Sequence, residues 1–115
     1  MCNTIEDRLS LIEFRQELLF NNTGVDRLLF EYNVTKPQYR SIMDVMDEYR
    51  RKIDNNESVH HGGFEQEIYN IVPQHHGDYH FVEGLAQEFH GQGRWEEVFV
   101  VLYGDMPKFQ SYLNK

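Results

Sequence analysis

The chain has 115 residues, 40% hydrophobic and 14% aromatic, and a formal net charge of −8 at pH 7. Such a length and composition describe one domain with a core of its own, burying roughly 65% of the surface its unfolded chain shows, and exclude global disorder. The negative charge repels phosphate backbones and argues against direct nucleic-acid binding, while the single cysteine, Cys2, excludes an internal disulfide and a cysteine-based zinc cage.

Glu6, Asp7, Arg8, Glu13, Arg15 and Glu17 interrupt every early apolar run, so no secretory signal is read there. The longest apolar run, Val98 to Tyr103, falls far short of the roughly 20 residues that span a bilayer. These features predict a soluble, cytoplasmic protein that needs no membrane.

A first helix is predicted from Thr4, a capping residue with Asp7 three positions on. Ile5, Leu9, Ile12, Gln16 and Leu19 recur at helical spacing along it, with Leu11 and Leu18 widening the stripe. Asn21, Asn22 and Gly24 end it, and a short second helix follows over Asp26 to Tyr32 with Leu28, Leu29 and Phe30. The third helix has Thr35 as its N-cap and Pro37 in its first turn, where a missing N–H costs nothing. Ile42, Met46, Tyr49 and Ile53 mark its apolar face. Asp44, Asp47, Glu48, Arg50, Arg51 and Lys52 mostly take the other, a solvated face with local ion pairs.

Asp54 to Ser58 reads as a polar loop. Phe64, Ile68 and Ile71 define a short fourth helix that Pro73 closes, and Asp78 caps a fifth carrying Val82, Leu85, Ala86 and Phe89. Gly91 and Gly93 break that helix. The segment from Arg94 to Asp105 admits two readings. Val98 to Leu102 is β-branched enough for a buried strand. Trp95, Phe99 and Leu102 share a helical face, Glu96 and Glu97 suit a helix N-terminus, and Gly104 suits its end. No other segment offers a strand partner, so a helix is predicted, with Lys108 to Leu113 adding a last turn. The expected fold is all-α: a compact single-domain bundle of about five to six short helices ending in a helical hairpin.

Five of the six histidines lie between His60 and His80. The pairs His60-His61 and His75-His76 flank a helix of about 10 residues, which holds them roughly 15 Å apart, too far to share one ion. His76 and His80 are separated by a helix start, so they do not stack as helical zinc ligands do. His76, His80 and Glu83 are the candidate metal ligands, with His80 and Glu83 the best-spaced pair, and two ligands are too few. Glycines 62, 63, 91 and 93 punctuate helices without a preceding strand, so no phosphate loop is read. Cys2 has no fixed base beside it. No cofactor and no catalytic residue are assigned.

Taken together, "RLSLIEFRQELL", "DRLLFEYNVTKPQYRSIMDVMDEY" and "DYHFVEGLAQEFHGQGRWEEVFVVL" resemble the YhaI-like family of small bacterial helical proteins, over roughly Thr4 to Pro107. The motif Asp78-Tyr79-His80 resembles a D-x-H of that family. The chain departs from it around Gly91 to Gly93 and in its two histidine pairs, so no role for those pairs is inherited. The resemblance implies a helical, self-associating protein and brings no activity.

The expected function is therefore protein binding, as a regulatory or interaction module and a homodimer, not an enzyme. Phe14, Phe20, Phe30, Tyr32, Tyr39 and Trp95 exceed what a small core easily buries, and Trp95, Phe99 and Tyr39 are the candidate interaction residues. Two alternatives come from other classes. One is an acidic inhibitor filling a basic nucleic-acid site on an enzyme. The other is a metal-dependent enzyme using the histidine cluster.

Overall fold

A computed structural model describes residues 4–113, in which seven α-helices and one short 3₁₀ turn follow one another without a strand. Helix α1 runs Ile5–Asn21, α2 Gly24–Glu31, α3 Lys36–Asp54, α4 His61–Ile71, α5 Tyr79–Gly91, α6 Glu96–Tyr103 and α7 Pro107–Leu113, with the 3₁₀ turn at Pro73–His75. The expected all-α class holds, with seven helices where five to six were predicted. The α5–α6 hairpin is followed by α7, so it does not end the chain. Cys2 lies outside the described residues.

Local chemistry sets the helix starts. Thr4, Thr23 and Thr35 each turn a side-chain oxygen onto the N–H three residues later. At α2 and α3 the third residue, Asp26 or Gln38, returns the bond and completes a capping box. Asp78 caps α5 by accepting from the Phe81 N–H. The α1–α2 turn passes through Asn22 in the left-handed region at φ 51°. At Gly24 a Cβ would meet the carboxylate of Glu88 on α5, the mobile end of an exposed side chain. The segment that admitted strand or helix is helical over Glu96–Tyr103, as predicted, and the turn before it reverses the chain through Gly93 at φ 74° and Trp95 at φ 51°.

Helix α3 forms the spine, packing on α4 and α6, while α5 packs on α2, α4 and α6. Ile42 and Met46 of α3, Phe64 and Ile68 of α4, Phe81, Val82 and Phe89 of α5, and Val98 and Phe99 of α6 are fully buried. Helix α7 is fastened by Phe109, whose ring centre is 5.1 Å from that of Phe99, and by Lys108, whose Nζ is 2.6 Å from Glu83 Oε1. Helix α1 is different. It lies mainly against α2, and residues 4–10 are exposed on every side. The molecule measures 44 × 27 × 24 Å.

The polar face of α3 does more than meet solvent. Asp47, predicted there, accepts a 2.8 Å hydrogen bond from the indole Nε1–H of Trp95. Trp95 is only 8% exposed, and its ring meets Phe89 edge-on. Asp47 is itself exposed, so water can replace its oxygen, and Asp47→Ala is expected to cost about 1 kcal/mol, the net worth of one hydrogen bond, which chemical denaturation measures. A cost below about 0.5 kcal/mol would return Asp47 to the plain solvated face.

Candidate interaction surface

Each histidine meets a neighbour within the chain. His60 is the N-cap of α4, its Nδ1 accepting from the Gly62 N–H at 3.0 Å, and its ring stacks on His61. His61 Nδ1 lies 3.3 Å from Glu65 Oε2. The Nε2–H of His75 donates to the Tyr32 carbonyl, and its ring meets Tyr32 edge-on. His76 packs on Tyr69, His80 on Tyr79, and His90 Nδ1 is 2.9 Å from the Tyr112 hydroxyl. The candidate ligands His76, His80 and Glu83 are not gathered: Glu83 is buried and faces Lys108. Among the described residues, no three of His, Cys, Asp and Glu form a group able to hold a metal ion.

A second polar cluster ties α4 to α3 and to α6. The Tyr103 hydroxyl donates to Glu65 Oε2 at 2.9 Å, and the Tyr49 hydroxyl donates to Glu67 Oε2 at 2.8 Å. Burial first, and then the charge of Glu65, push the Tyr103 hydroxyl above its ordinary range. Burial and the bond to Glu67 do the same at Tyr49. A buried tyrosine hydroxyl feeding a carboxylate is a strut between helices, because it satisfies both groups within the protein.

The sign for stability follows. Both hydroxyls titrate higher folded than unfolded, so their contribution is intact below pH about 10, where unfolded tyrosine ionises. It is lost as pH rises from there toward the folded values. Stability should therefore fall steeply above pH about 10, and Tyr103→Phe should flatten that fall while costing about 1 kcal/mol at pH 7. Urea titrations of both proteins at pH 8 and pH 11 check this. Equal losses in the two would remove Tyr103 from the explanation.

Of the candidate interaction residues, Phe99 is fully buried and Trp95 nearly so, which corrects their placement: both belong to the core. Their bulk gave the wrong impression, since large apolar rings serve cores and interfaces equally well. Tyr39 is half-buried, with its ring centre 6.2 Å from that of Phe14. It lines a cleft of about 490 Å³ with Phe14, Leu18, Met43, Arg40 and Arg94.

The surface that stands out is on α1. Leu18 and Phe14 face inward and Leu11 is half-buried, whereas Ile5 is 74% exposed, Leu9 54%, Ile12 55%, Leu19 59% and Phe20 89%. The helix is thus apolar on two opposite sides. The stripe Ile5, Leu9, Ile12, Gln16, Leu19 that identifies the helix in the sequence is the side turned to solvent. Its residues alternate steps of four and three, the spacing of a coiled-coil seam. Beside it, Arg15 is anchored inward, its guanidinium 3.8 Å from the Phe30 ring centre and donating to the Phe30 carbonyl at 3.0 Å. Val100 and Val101 on α6 form a smaller exposed pair.

No helix among the described residues is long and apolar enough to cross a membrane. Comparison of the chain with models of known families, with curated proteins and with solved structures finds no match.

Proposed function

We propose that this chain acts by binding protein, first of all further copies of itself, through the outward face of α1. The observation that carries this reading is the row of exposed Ile5, Leu9, Ile12, Leu19 and Phe20 along one helix. A monomeric protein rarely leaves large apolar side chains contiguous in water, and an amphipathic helix face is a common docking element. A binding role, rather than catalysis, also agrees with the use of every histidine in packing or capping. The YhaI-like resemblance remains part of the proposal, supported by the all-helical order; it brings a self-associating protein of the cytosol.

Equilibrium sedimentation tests the reading. The wild-type chain is expected to show a mass above its 13.8 kDa monomer as concentration rises. A constant monomer mass at millimolar concentration would overturn self-association.

A further inference from the structure

We propose that α1 packs side by side and parallel with α1 of a second copy, with Arg8 of each copy facing Glu13 of the other. The inference rests on the reading of the outward α1 face as an association surface and adds its partner and polarity. Residues 5, 9, 12, 16 and 19 alternate steps of four and three, the spacing of the a and d core positions of a coiled coil. Leu9 and Gln16 then occupy a, and Ile5, Ile12 and Leu19 occupy d. All five are exposed, while Phe14 and Leu18, on the far side, hold the helix to its own domain.

The flanks decide the direction. The positions before a, called g, hold Arg8 and Arg15; those after d, called e, hold Glu6, Glu13 and Phe20. One edge of the stripe is therefore basic and the other acidic. In a parallel pair each g position faces the e position five residues on in its partner, which sets Arg8 against Glu13 and Arg15 against Phe20. In an antiparallel pair each flank meets its own kind, so basic meets basic and acid meets acid. Arg8 and Glu13 make no ion pair within the chain among the described residues, and both are exposed. Gln16 at an a position adds a polar pair that fixes register, because a shifted partner leaves its amide buried against carbon. The first turns of α1 stand clear of the core, so a second helix reaches the stripe without displacing any element.

The test places one thiol at either end of the stripe. Cys2→Ser is combined with Ile5→Cys in one variant and with Leu19→Cys in another. The two positions lie about 21 Å apart along the helix. Under mild oxidation, at a concentration where the wild type associates, each variant alone is expected to form a covalent dimer. Cross-linking only in a mixture of the two variants means an antiparallel pair and overturns the proposal, while leaving the surface reading in place. Absence of any cross-link, with a monomeric mass for the unmodified chain, removes both. A charge exchange gives an independent reading. Arg8→Glu is expected to raise the dissociation constant roughly tenfold, and Arg8→Glu with Glu13→Arg to restore it. Tighter association of Arg8→Glu would contradict the pairing. Leu at a with Ile at d also admits four strands, and a parallel pair or a parallel four-helix seam each satisfies the proposal.

Discussion

Replacing Phe99 by alanine is expected to lower the unfolding free energy by about 3–5 kcal/mol, the range for a large aromatic removed from a close-packed core. Phe99 is fully buried, and its ring centre lies 5.7 Å from that of Tyr103, 5.1 Å from Phe109 and 5.9 Å from Tyr112. The truncation therefore opens a cavity at the seat of α7 as well as within α6. Much of a typical domain stability of about 5–15 kcal/mol is at stake. Urea denaturation reads the loss as a lower midpoint. Val100→Ala, one residue on and 46% exposed, should cost well under 1 kcal/mol. Equal costs at the two positions would mean that α6 is rotated from the arrangement described here.

The second large effect lies in association, with little change in fold. Leu9→Glu combined with Ile12→Glu puts two carboxylates on the outward side of α1. Neither side chain contributes to the buried core, so stability of the isolated chain should change by about 0.5 kcal/mol or less. Self-association, by contrast, must then bury unpaired charge at the centre of its seam, and the dissociation constant should rise by roughly a hundredfold or more. Sedimentation with circular dichroism separates the two outcomes. A variant that associates as the wild type does would place the contact elsewhere, with Val100 and Val101 the next surface to alter.

The helices differ in how plainly the sequence announces them. In α3, Ile42, Met46 and Tyr49 are the only apolar stripe, the opposite side is charged, and all three are buried. Val82, Leu85, Ala86 and Phe89 of α5 are likewise buried as their spacing predicts, with Phe81 and Glu83 buried beside them. Helix α1 has two apolar sides, and periodicity reveals a stripe without saying which side meets the domain's own core. The longer stripe, Ile5 to Leu19, is the one left in water, while Phe14 and Leu18 make the intramolecular contact. Partners across the chain are likewise not written in local spacing. Asp47 meets Trp95 over 48 residues and His75 meets Tyr32 over 43, so both side chains read locally as ordinary polar surface. The left-handed turn at Trp95 also escapes a reading by propensity, because a bulky residue seldom takes positive φ. The metal question depends on convergence in space: His76, His80 and Glu83 are near in sequence, and their side chains go to Tyr69, Tyr79 and Lys108.

Amide hydrogen exchange at two concentrations shows whether copies meet at the outward side of α1. Residues 5–10 belong to a helix whose first turns have no tertiary cover, so in the dilute chain their amides should exchange early. At high concentration slower exchange is expected across α1, greatest in those first turns, with α3 and α5 unchanged. Unaltered exchange in α1, with slowing confined to another helix as the mass rises, would contradict it.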